Sequence, residues 1–171
     1  MTRKLVLSGF FIALGLVLPQ VFHMVGGLAG PVFLPMHIPV LLAGFICGPI
    51  NGVIVGIVTV VLSHIFTGMP KIPILFVMIV ELPVYGCVAG LLYNKFKKNI
   101  FISLVGAMIA GRLAVAILIP LYENIIGINL PPTLSAVSII VTGLPGILIQ
   151  LIFIPSIITA INKLGVDYGV K

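Results

Sequence analysis

The chain has 171 residues, of which 61% are hydrophobic and 7% charged, with a formal net charge of +6 and a mean hydropathy of +1.38. A soluble domain carries roughly 25% charged residues, so this chain has too little charge to cover a water-facing surface and its main solvent is lipid. The positive charges sit in short connections rather than in a basic stripe interleaved with aromatics, which points away from nucleic acid.

Apolar runs of about 16 to 25 residues follow one another, the length that crosses a bilayer core at about 1.5 Å rise per residue. A transmembrane barrel would instead show short alternating segments. The pattern predicts an all-α integral membrane protein of six transmembrane helices, forming one membrane-embedded domain over residues 1–171.

The first span runs from Lys4 to Phe22 behind Thr2-Arg3-Lys4. No small-x-small cleavage site leads into a polar mature domain, and more membrane follows, so it reads as a retained span and not a signal peptide. Gly9 and Ala13 in it form a small-x-x-x-small pair, of the kind that lets helix backbones approach closely in lipid. The loop from His23 to Val32 is apolar and rich in glycine. The second span, Phe33 to Gly48, opens in "LPMHIP". Pro35 and Pro39 are tolerable near a helix start and set His37 at the rim of an outer cavity. Pro49 cannot continue the helix, and Gly48 and Gly52 permit a tight reversal into the third span, Ile50 to Phe66. Spans two and three are short, so they tilt little, thin the bilayer locally, or are partly re-entrant. Gly52 and Gly56 form a second small-residue pair, and His64 closes the third span.

After the loop "TGMPKIP", in which Met69 offers an adaptable apolar contact, the fourth span runs from Ile72 to Tyr93 and contains Glu81, Tyr85 and the pair Gly86 and Gly90. The fifth, Ile100 to Pro120, contains Arg112 and the pair Gly106 and Ala110. A long loop from Leu121 to Ser135, with Tyr122, Glu123, Asn124 and Asn129, leads to the sixth span, Ala136 to Asn162. Cys47 and Cys87 lie in apolar segments and read as small buried hydrophobes.

Lysine and arginine orient the spans. One side gathers Arg3, Lys4, Lys95, Lys97, Lys98, Lys163 and Lys171, the other only Lys71. Seven against one places both termini in the cytoplasm. The longer loops then lie outside and are too apolar to float in water, so they are expected to fold over a pocket.

Charged groups within spans are costly and are functional candidates by default. Glu81 and Arg112 lie about eight to nine residues from the outer ends of adjacent spans, at a depth of roughly 12 to 14 Å. Full pairing would leave a near-neutral pocket for an uncharged or mixed donor–acceptor solute. A free Arg112 would suit a carboxylate or phosphate. The expected arrangement is a shared network in which the solute bonds both groups. All three histidines lie near outer ends of spans, without the His-x-x-His or similar spacing of a metal site. No phosphate-binding loop, His-Glu-x-x-His or Gly-x-Ser-x-Gly motif occurs. No mutual repeat of the two halves is clear, and rings of like charge are absent.

The run "HIPVLLAGFICGPINGVIVG" (His37 to Gly56), with "TGMP" (Thr67 to Pro70), "ELPVYGCVAGLLY" (Glu81 to Tyr93) and Gly9-x-x-x-Ala13, resembles the substrate-binding S components of energy-coupling factor (ECF) vitamin transporters. The resemblance covers nearly the whole chain. It implies a subunit that binds one vitamin or precursor from outside, beneath the loops joining spans one–two, three–four and five–six. It also implies docking, through the first three spans, onto a transmembrane coupling protein with two cytoplasmic ATPases, so that ATP is used by the partners and no cofactor by this chain. Candidate solute contacts are His37, His64, Met69, Glu81, Tyr85, Arg112, Tyr122 and Glu123. Candidate docking residues are Gly9, Ala13, Gly52 and Gly56, with no catalytic residue. The rival reading is an integral-membrane enzyme that turns Glu81, Arg112 and the histidines to acid–base work on a lipid or external solute.

Overall fold

The structure, a computed structural model, describes residues 2–26, 29–122, 124 and 136–164. These residues form α1 (Thr2–Val25), α2 (Ala29–Phe33), α3 (His37–Cys47), α4 (Pro49–Thr67), α5 (Ile74–Gly90) with a π-helical turn at Leu91–Lys95, α6 (Ile100–Leu121) and α7 (Ala136–Lys163), with no β-strand among them. Six segments are long and apolar enough to cross a membrane, the second being α2 and α3 taken together, Gly30–Cys47.

α3 is the axis of the fold. It is apolar around its whole circumference, which suits a helix enclosed on all sides, and every residue from Pro39 to Cys47 is buried. It packs on α1, α4, α5 and α7. The chain reverses after it as the sequence expects: Gly48 takes φ 95°, which a side chain would resist, and Pro49 fills the first turn of α4, where its missing N–H costs nothing. The last carbonyls of α3 find donors in Asn51 (to Cys47 O, 2.8 Å) and Asn94 on the π turn (to Gly44 O and Phe45 O, both 3.1 Å).

The second span is a broken helix, not a short continuous one. α2 supplies its first part, and the chain then leaves helical geometry at Leu34, whose φ is 50°, before α3 starts at His37. Much of the loop expected from His23 to Val32 is therefore helix, since α1 continues to Val25 and α2 begins at Ala29. His37 is corrected as well. It lies not at a rim but inside the bundle, 2% exposed, because α2 occupies the first part of the span.

Small residues set the helix spacing, in two different ways. A Cβ on Gly52 would fall 2.6 Å from the carbonyl oxygen of Gly86, and one on Gly56 2.7 Å from the nitrogen of Pro83. This overturns the expectation that Gly52 and Gly56 face a partner: both are buried against α5. Gly9 and Ala13 are exposed, and a Cβ on Gly9 would meet nothing within 4 Å. The inward face of α1 is instead Ser8, Phe11, Gly15 and Pro19, with Gly15 seated on Thr59 of α4. On α7, Gly146 lets the helix close on the break: a Cβ there would lie 2.7 Å from the carbonyl of Phe33. One turn further on, Gln150, 1% exposed, donates a long hydrogen bond (3.5 Å) to Leu34 O.

Candidate functional site

The break at Leu34–Met36 brings the N-terminal end of α3 beside the two charged residues in the spans. Arg112 Nη1 donates to Glu81 Oε1 at 2.8 Å, joining α6 to α5 at one depth. The other carboxylate oxygen, Oε2, lies 3.8 Å from His37 Nε2, too long for a hydrogen bond. Tyr85, one turn after Glu81, is 1% exposed. Its ring meets His37 edge-on with centroids 5.1 Å apart and rests on Gly111, where a Cβ would fall 2.7 Å from the ring. Gly111 thus makes room for Tyr85, and Tyr85 holds the imidazole in place.

The cluster is buried and only partly bonded. Glu81 is 3% exposed and the Arg112 side chain 10%. Arg112 Nε and Nη2 and both ring nitrogens of His37 have no hydrogen-bond partner. A buried donor left unbonded costs about 1–3 kcal/mol, and more when it is charged, so a cluster holding several of them is fitted for a polar guest. Arg112 Nη2 lies against Gly143 of α7, where a Cβ would stand 3.1 Å from it and 3.0 Å from Leu34 Cδ1.

Of the eight expected solute contacts, the structure therefore unites His37, Glu81, Tyr85 and Arg112. His64 is not in that cluster. Its Nδ1 bonds Pro70 O at 2.9 Å and ties the loop after α4 to the helix end, where Thr67 also bonds the main chain of Met69 at 3.2 Å. Met69 is half-buried in that loop. The Tyr122 hydroxyl makes a long contact to Phe76 O, 3.4 Å, at the end of α6. Glu123 and most of the loop expected between Leu121 and Ser135 lie outside the described residues. Residues that sequence reasoning passed over are Gly143 and Gln150. The second carried a signal, since an amide in the middle of "GILIQLIFI" has to find a partner inside the bundle. Among the described residues, no three His, Cys, Asp or Glu side chains converge as a metal-binding group would require.

The family model described as "ECF transporter, substrate-specific component" matches residues 3–158. Searches of curated proteins and of solved structures gave no match.

Proposed function

The chain belongs to the family of ECF transporter substrate-specific components, and from that premise we propose that it captures a vitamin or vitamin precursor from outside the cell and passes it inward. In this reading a transmembrane coupling protein and two cytoplasmic ATPases supply the energy. Both termini face the cytoplasm, the orientation favoured by seven cations against one. The loops at the opposite end, including the one tied by His64 to Pro70, close over the solute.

The observation that carries the proposal is the His37–Glu81–Arg112 cluster. Charged groups are expensive inside a membrane bundle, and a purely structural ion pair would be expected to use up its donors. This one leaves Arg112 Nε and Nη2 and His37 without partners, beside the break between α2 and α3. The family is one of transport components rather than of enzymes, and the same groups serve recognition without any reacting bond.

The test is chemical. The full chain is purified in mild detergent, denatured, and the released small molecules are identified by mass spectrometry. A vitamin or precursor at near one equivalent is the expected result. A lipid-derived product would favour an enzyme, and the absence of any small molecule a ligand-free scaffold.

A further inference from the structure

Resting on the importer reading above, we infer that the solute is a carboxylate, gripped side-on by Nε–H and Nη2–H of Arg112. The guanidinium has two edges that can take a planar anion. Glu81 engages Nη1 alone, at 2.8 Å. The hydrogens of Nε and Nη2 run parallel on the other edge, the fork that matches the two oxygens of a carboxylate, and these are the two nitrogens without partners. The pair is thus half a clamp: one carboxylate built into the protein, one edge left for another.

Charge agrees with that assignment. Glu81 offsets the charge of Arg112, but the N-terminal end of α3 adds the equivalent of roughly half a positive charge, and Met36 gives it no side-chain cap. His37 adds at least one further N–H donor in either protonation state. The cluster therefore has a surplus of donors and of positive potential, which a cationic or donor-rich solute would worsen. A single added negative charge balances it, whereas a dianion such as a phosphate monoester brings one charge more than these groups can match in a buried site. Gly143 of α7 and Leu34 stand against this same edge, since a Cβ on Gly143 would lie 3.1 Å from Nη2 and 3.0 Å from Leu34 Cδ1.

The test is a thermal-shift and binding screen of the full chain in nanodiscs. The probes are acids paired with their neutral counterparts: nicotinate with nicotinamide, pantothenate with pantothenol, biotin with biotinamide. Riboflavin and thiamine represent solutes without a carboxylate, and pyridoxal phosphate represents phosphates. The expected result is stabilisation by an acid and not by its neutral counterpart. Two variants then locate the contact. Arg112→Lys keeps a cation for Glu81 but has no fork. Gly143→Ala leaves the Glu81 contact in place and crowds the free edge together with Leu34. Each is expected to weaken the acid by roughly ten- to a hundredfold. Stabilisation only by a neutral or cationic solute overturns the inference and leaves the importer reading standing, as does stabilisation only by pyridoxal phosphate. An acid that binds Gly143→Ala and a folded Arg112→Lys as tightly as wild type overturns it too. No stabilisation by any probe counts against the importer reading itself.

Discussion

Gly52 and Gly86 bring α4 and α5 together at the main chain: a Cβ on Gly86 would lie 2.5 Å from the carbonyl oxygen of Gly52, and one on Gly52 2.6 Å from that of Gly86. Lipid gives helices no hydrophobic reason to associate, so approach this close is what holds them. The obstacle on each side is backbone, which cannot rotate away. Gly86→Ala is therefore expected to destabilise the bundle by about 1–3 kcal/mol or more, read as a lowered Tm in detergent. Gly9→Ala is the control, since a Cβ there meets nothing within 4 Å. Equal Tm values for the two variants would contradict the packing.

Exposure of Gly9 and Ala13 on α1 leaves that pair as the candidate contact with a coupling protein, now separate from Gly52 and Gly56. Gly9→Trp and Ala13→Trp are expected to fold, to bind solute with near wild-type affinity, and to lose co-purification with the coupling protein. Gly52→Trp is expected to fail earlier, at folding. Normal assembly by both α1 variants would remove this face from the interface.

Much of this was legible in the sequence, and the misses have physical causes. Span number and most boundaries follow from apolar run length, which the bilayer dictates; α6 and α7 differ from the reading by a residue or so at their ends. The Glu81–Arg112 contact was legible because two opposite charges at one depth on adjacent antiparallel helices have few other partners. The break in the second span was not. Pro35 and Pro39 mark a helix start equally well at the membrane rim or within the span, and only the packing of Gly146 against Phe33 distinguishes the two. Nor does a small-x-x-x-small pair say which way it faces. Gly9 and Gly52 have the same local pattern, and the difference between them lies in what α5 brings to α4.

The loop after α4 gives a third prediction. Among the described residues, its hydrogen bonds to side chains of α4 are His64 Nδ1 to Pro70 O, 2.9 Å, and those between Thr67 Oγ1 and the main chain of Met69. His64→Ala should raise amide hydrogen exchange at Met69 and Lys71, and should weaken solute binding by about 0.5–1.5 kcal/mol if the ordered loop lies over the solute. In wild type, saturating solute should slow exchange at the same amides. Exchange unchanged by solute would mean that the loop is not a lid.

The last prediction separates what Glu81 and Arg112 do for the fold from what they do for the solute. Arg112→Ala leaves Glu81 buried, 3% exposed, with no cation at its Oε1, and breaking a buried pair in this way costs roughly 3–5 kcal/mol. It should abolish binding and also lower Tm, so by itself it cannot distinguish the two roles. Glu81→Gln removes a charge but keeps an acceptor for Nη1 at 2.8 Å; it should lower Tm less than Arg112→Ala and should not weaken a carboxylate, which meets the other edge of Arg112 and gains from the lost negative charge. The double variant, Glu81→Gln with Arg112→Gln, removes both charges while leaving polar groups that can bond each other. Its Tm should recover most of what Arg112→Ala loses, because no buried charge is left unpaired. Its affinity should not recover, because neither glutamine supplies the charged fork that Nε and Nη2 present. Tm and affinity are measured on the same samples. A double variant that is stable and still binds would show the pair to be a helix fastener, and would leave the solute to groups elsewhere in the bundle.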